Sequence, residues 1–239
     1  MQTTEQNNNV STKIQDRQIA ETKVLTLGYL GMGTGRVKPF DQIFNAGKLV
    51  TAKDIKDGIA IDALVVWGGE DISPSLYGAS PSSYTGARAT LSHRDLCEST
   101  ACLEAIERGI PIIGICRGAQ LVCAMAGGSL IQHVNNHGIT HLMETNDGRR
   151  IQTTSVHHQM MYPFDTEYEM LAWCSPKRST TYVIEGDKQQ DMEDKVEPEV
   201  VFFPRIKAIA IQGHPEFCSN PQDEFVQYCM EVTRKYLGV

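Results

Sequence analysis

No stretch of this sequence is apolar for long enough to cross a bilayer: the longest runs, such as residues 110–115, fall far short of the ~20 residues a spanning helix needs. Clustered lysine and arginine are missing too. The 22 basic residues are outnumbered by 29 acidic ones, giving a net charge of −7, so no basic face is offered to a phosphate backbone and nucleic-acid binding is not expected. Seven cysteines are present, but none forms the C-x-x-C spacing of a redox or metal pair. A chain of 239 residues can bury a core without disulfide staples, so these read as free thiols in a reducing cytoplasm. Internal repeats, Pro/Gly-rich linkers and an apolar secretory stretch near the start are also lacking. Residues 1–20 are polar and read as a disordered arm, and residues 21–239 as one domain.

What is present is an alternation of short apolar runs with helical patterns. Residues 24–30 (VLTLGYL) and 63–67 (ALVVW) read as strands closed by glycine. Ser92 three residues before Asp95 predicts a helix start, and the apolar face continues to Gly109. Residues 111–115 (PIIGI) form a buried strand, followed by a helix over 118–126 that Gly127-Gly128 ends. Further strands are expected at 168–174, 181–184, 200–203 and 207–211, and a last helix over 221–236 capped by Asn220. The charged stretch 177–198 reads as a surface hairpin or mobile loop. Such alternation predicts an α/β fold with a doubly wound, mostly parallel sheet and helices on both faces, its site at the carboxyl ends of the strands.

Two segments at such strand ends carry chemistry. Gly114-Ile115-Cys116-Arg117-Gly118 has the spacing of a nucleophile elbow: glycines two residues on either side allow a sharp strand–helix turn that holds Cys116 above the sheet. The helix that follows aims its N–H groups at the sulfur and favours thiolate, and the Arg117 side chain would add positive charge nearby. Gln212-Gly213-His214-Pro215-Glu216 follows another strand, and in extended backbone His214 and Glu216 project to one face, a base and the carboxylate that orients it. An oxyanion formed by attack needs preset N–H donors. Arg117 supplies one from its main chain, and Gly68-Gly69 can supply another.

Together these residues resemble the class I glutamine amidotransferase superfamily, and within it the peptidase C26 group that includes γ-glutamyl-γ-aminobutyrate hydrolases. The likeness is carried by WGGEDISPSLYG (67–78), HRDLCE (93–98), PIIGICRGAQLVCAMAGGSLIQ (111–132), HHQ (157–159) and QGHPE (212–216). The resemblance implies a flavodoxin-like sheet and a cysteine-dependent hydrolase that cleaves a γ-glutamyl amide through a thioester on Cys116. It implies catalytic Cys116, His214 and Glu216, oxyanion donors Gly69 and Arg117, Gly68 and Gln120 beside the glutamyl moiety, and His157 and His158 bordering the site. No metal or organic cofactor is required. The family also implies an alternative, a glutaminase subunit that hands ammonia to a separate synthetase or amidoligase. A non-catalytic binding protein on the same fold is a third reading, and a homodimer is compatible with all three. Departures from the family pattern are Gly213 in place of an aromatic residue, which would leave the wall beside His214 more open, and Ser155-Val156 in place of asparagine-serine.

Two further signals stand apart. Gly31, Gly33 and Gly35 follow the first strand without the spacing of a phosphate loop. His133, His137 and His141 are four apart, but Asn135, Asn136 and Gly138 oppose a helix there, and no carboxylate or cysteine completes a metal set nearby. These histidines read as a polar rim to the cleft.

Overall fold

The computed structural model describes residues 24–31 and 37–239. The expected N-terminal arm, and Gly33 and Gly35, lie outside the described residues. In chain order the elements begin with β1 (Thr26–Tyr29), β2 (Ala46–Leu49), α1 (Ala52–Lys56), β3 (Ala63–Val66) and α2 (His93–Glu107). Next come β4 (Ile112–Ile115), α3 (Arg117–Met125), β5 (Ser129–Ile131), β6 (His133–Val134), β7 (His141–Thr145) and β8 (Arg150–Thr153). The chain finishes with β9 (Met160–Tyr162), β10 (Glu169–Cys174), β11 (Tyr182–Val183), β12 (Glu197–Phe203), β13 (Ala208–Ile211) and α4 (Glu224–Leu237).

Nine strands form one sheet in the order β2-β1-β3-β4-β13-β12-β10-β7-β8. The first five run parallel, and β12, β10, β7 and β8 extend the sheet as an antiparallel wing. The side-chain period of two explains why the central strands are apolar throughout. Leu64, Val66, Ile112, Ala208 and Ala210 pack with Ala101, Cys102 and Ala105 of α2 and Leu121 and Val122 of α3. Their alternates Val65, Ile113, Ile115, Ile209 and Ile211 pack with Phe225, Val226 and Cys229 of α4. The α/β expectation, with helices on both faces, is met.

Helix starts follow side-chain capping. Ser92 accepts from the Asp95 N–H and Asp95 from the Ser92 N–H, a full capping box at α2. The last helix begins three residues later than expected, because Asp223 rather than Asn220 accepts the first free N–H, from Phe225 at 2.9 Å. Asn220 instead closes the turn before it.

Residues 177–198 contain the hairpin expected, closed by the Val183–Gln189 bridge and by hydrogen bonds joining Tyr182 to Gln190 and Ile184 to Lys188, but its base is buried. Val183 and Met192 join a small core with Ile131 and Met160, Tyr182–Val183 pairs with β6, and Glu197 is fully buried within β12. Burial here is set by long-range pairing, which a local charge count does not register.

Candidate active site

The carboxyl ends of β3, β4 and β13 bring together the segments singled out in the sequence. Cys116 caps α3 with φ 50° and ψ −106°, a left-handed strain that a non-glycine residue accepts only when its surroundings hold it. Those surroundings are tight: a Cβ at Gly118 would run into the Val66 carbonyl, and one at Gly114 into the Gly118 backbone. The elbow spacing is therefore a steric requirement. The sulfur-bearing residue is 7% exposed.

His214 leaves β13 with its main chain clamped by Thr154, whose hydroxyl donates to the His214 carbonyl at 2.7 Å and accepts its N–H at 3.1 Å. The imidazole Nδ1 lies 2.8 Å from Glu216 Oε1, and its ring stacks flat on Phe217 at 4.3 Å. Nε2 is buried with no hydrogen-bond partner. Burial disfavours the imidazolium, but the nearby Cys116 sulfur and the Glu216 carboxylate outweigh it and raise His214 to about 9. Gly68 sits against both groups, since a Cβ there would come 2.7 Å from His214 Cε1 and 3.5 Å from Cys116 Cβ.

Gly213 does not open the wall beside His214. The space a side chain would take is filled by Thr153 Oγ1, Phe225 and the Thr154 carbonyl, and Phe217 supplies an aromatic surface on the imidazole from the other direction.

The Arg117 side chain adds no charge at the sulfur, contrary to expectation. It is 2% exposed and paired to two buried carboxylates, Asp95 at 2.6 Å and Glu98, so its charge is neutralised beneath α2. Its main chain remains at the start of α3, beside Cys116. The same network shows two residues that the sequence reading passed over. Arg94 pairs with Glu98 at 2.8 Å and donates to the carbonyls of Trp67 and Gly68, each at 3.0 Å. Its guanidinium fills the place of a Gly69 side chain. Gly69 has φ 152°, so the loop conformation and the arginine seat both require glycine. The HRDLCE segment held the signal, an Arg and a Glu four apart on one helix face.

Gln120 is buried and donates to the Gln159 carbonyl at 3.1 Å, tying the HHQ segment to α3. His158 is exposed on a cleft of about 700 Å³, lined also by Glu70, Asp71, Tyr84 and Arg88. Cys116 and His214 do not line this cleft; it begins at Glu70, next to Gly69. His158 meets Asp71 at 3.1 Å, and this contact raises the pKa of the ring.

His157 is a correction: it turns away from the cleft into a buried group with His137, 4.9 Å between ring centroids, and its Nε2 lies 3.8 Å from Glu199. Nor do His133, His137 and His141 form a rim. His133 stacks on Tyr84, while His137 and His141 are buried. The sequence reading that no carboxylate or cysteine accompanies them is overturned by β10 and β12, which bring Cys174 and Glu199 to within 4.8 Å of both.

The sequence profile of the peptidase C26 family matches residues 51–171. A Lactococcus lactis subsp. cremoris protein named as a glutamine amidotransferase-like YvdE homolog is 40% identical over 75 residues, 31% of this chain and 39% of that protein. Protein NtpR of Enterococcus hirae is 40% identical over 77 residues, 32% of this chain and 31% of its own length. The matches thus span well under two thirds of these relatives. Among solved structures, a glutamine amidotransferase from Thermotoga maritima superposes with a TM-score of 0.52 at 15% identity, over 90% of this chain and 86% of that one. At that identity the likeness is one of fold.

Proposed function

Because the chain belongs to the peptidase C26 family, we propose that it hydrolyses a γ-glutamyl amide bond with Cys116 as nucleophile, His214 as proton carrier and Glu216 orienting His214. The observation that carries this reading is the strained Cys116 elbow beside the buried His214 ring, both packed against Gly68, with His214 Nδ1 2.8 Å from Glu216.

The Cys116 thiolate adds to the amide carbonyl carbon, and the oxyanion is received by the main-chain N–H groups of Gly69 and Arg117. Collapse breaks the carbon–nitrogen bond, the departing amine takes the proton from His214, and a γ-glutamyl thioester is left on the sulfur. Neutral His214 then removes a proton from water, whose oxygen attacks the thioester carbonyl. The products are glutamate and the thiolate–imidazolium pair. Glu216 acts on Nδ1 throughout, fixing which nitrogen faces the chemistry. Arg94 holds the loop before Gly69 through the Trp67 and Gly68 carbonyls, so its role is positioning.

The cleft beside Gly69, lined by Glu70, Asp71 and Asp95 as well as Arg88 and His158, offers room for an amine portion larger than ammonia. This favours a free-standing hydrolase over a glutaminase that serves a synthetase. The test is glutamate release from glutamine and from γ-glutamyl-amines, with ammonia read separately, for wild type and Cys116→Ala. Release from a γ-glutamyl-amine that Cys116→Ala abolishes is expected. Unchanged turnover in that variant overturns the reading, and strong stimulation by a synthetase partner selects the ammonia-delivering alternative.

A further inference from the structure

Behind the proposed site, at one end of the antiparallel wing, His137, His141, Cys174 and Glu199 converge from four different segments. Their ligand atoms all lie within 4.8 Å of one another, and each residue is buried. His141 opens β7, Cys174 closes β10 and Glu199 lies in β12, so three neighbouring strands and the β6–β7 connection meet here.

The hydrogen bonding around the cluster is directional. His141 Nδ1 lies 2.9 Å from the Ile139 carbonyl, and His157 Nδ1 lies 2.8 Å from the Gln159 carbonyl. A carbonyl only accepts, so each Nδ1 carries a proton and each Nε2 turns inward, His141 Nε2 hydrogen-bonding Glu199 Oε1 at 2.8 Å and His157 Nε2 lying 3.8 Å from the same oxygen. His137 stands between two carboxylates, with neither ring nitrogen in hydrogen-bond geometry. Its Nε2 is 3.2 Å from the Glu197 carboxylate, while Nδ1 is 3.5 Å from Glu199 Oε1. Glu197 is itself held by the N–H groups of Arg178 and Ser179 and by the Tyr182 hydroxyl. An imidazole whose outer nitrogen is fixed by a backbone carbonyl, as in His141, is what a metal site uses to orient its ligands. His157 Nε2 and Glu199 Oε2 are buried without hydrogen-bond partners. Unpartnered polar atoms beside a carboxylate in a dry interior are stabilised by a positive charge placed among them, a metal ion or a proton.

We propose that His137, His141, Cys174 and Glu199 form a closed, structural binding site for a divalent transition metal of the zinc class. Two imidazoles, a thiolate and a carboxylate from a buried pocket match tetrahedral Zn²⁺, and the thiolate disfavours Mg²⁺ and Ca²⁺. Bonds of about 2.0–2.3 Å need only a small inward movement of ligands already this close. Binding releases the Cys174 proton. The ion would lock the wing to the catalytic strand, because the Glu199 carbonyl accepts the Gln212 N–H at 2.8 Å, two residues before His214. The proposal is independent of the reaction assigned to Cys116.

The test uses the full chain. Metal content of the purified protein is measured, and chelator-treated protein is titrated with Zn²⁺ against a chromophoric competitor while thermal unfolding is followed. One equivalent of bound zinc and a Tm raised by several degrees are expected. Cobalt substitution should give a thiolate-to-metal charge-transfer band that Cys174→Ser removes and Cys97→Ser keeps, and Glu197→Gln should weaken zinc about 10–100-fold. Chelator-treated, folded wild type that takes up no zinc overturns the proposal, as does a cobalt band that survives Cys174→Ser. Should a variant fail to fold, the wild-type uptake, Tm shift and cobalt band still decide.

Discussion

At the carboxyl end of the sheet the proposed base is a single buried imidazole. His214 is held near a pKa of about 9, against 6.5 for an unperturbed ring. A folded-state value above the unfolded one means its stabilising contribution is complete below about pH 6.5 and is lost as pH rises through 9. The Tm gap between wild type and His214→Asn should therefore shrink between those values. Turnover that needs the imidazolium should hold through neutral pH and fall above about 9, and Glu216→Gln should move this basic limb to lower pH in a pH–kcat/KM profile. Cys116→Ala should lower kcat by at least about 1,000-fold without shifting Tm downward in proportion, because the loss is chemical. By contrast, Gly118→Ala places a methyl against the Val66 carbonyl and should cost about 1–3 kcal/mol in urea unfolding.

At the scale of elements, α2 matters to the site although none of its residues stands in the proposed catalytic set. Its Asp95 and Glu98 neutralise Arg117 at the start of α3, and its Arg94 pins the β3 loop. Removing Glu98 leaves a buried guanidinium only partly paired. Glu98→Ala should lose about 3–5 kcal/mol of stability, read by denaturant midpoint. Arg94→Gln should leave the fold in place and lower kcat, with a smaller change in KM, because the loop that offers the Gly69 N–H loosens. The capping box of α2 was legible from Ser92 and Asp95, since a cap is a contact across three residues. The Arg94–Glu98 pair, four apart on α2, was legible in the same way, but its link to Arg117 was not, because that partner lies on α3.

Across the whole molecule the seven cysteines divide by environment. All are free, and among them only Cys97 and Cys218 are half-exposed. Burial raises Cys102 and Cys123 to about 12 and Cys229 well above the usual thiol range. In the native protein a bulky disulfide reagent should thus modify at most the two half-exposed thiols quickly, with the buried ones counted only after unfolding. Cys116 should be reached instead by a small glutamine-like electrophile. The antiparallel wing carries the other whole-molecule feature, a buried His/Cys/Glu cluster that joins β7, β10 and β12.

The proposed nucleophile, base and carboxylate were legible in the sequence alone, because local spacing marks them: glycines two residues either side of a sharp turn, and a His-Pro-Glu run after a strand, although that run turns into a short 3-10 helix in place of the extended backbone expected. The alternation of apolar strands and helices likewise determined the parallel core and its two covered faces. Tertiary structure alone decided that Arg117 spends its charge beneath α2, that Gly213 is packed shut, and that His157 leaves the cleft for a cluster with Cys174 and Glu199. Those outcomes depend on strand neighbours and helix contacts between residues far apart in the chain, where proximity arises from sheet order and no spacing along the sequence encodes it.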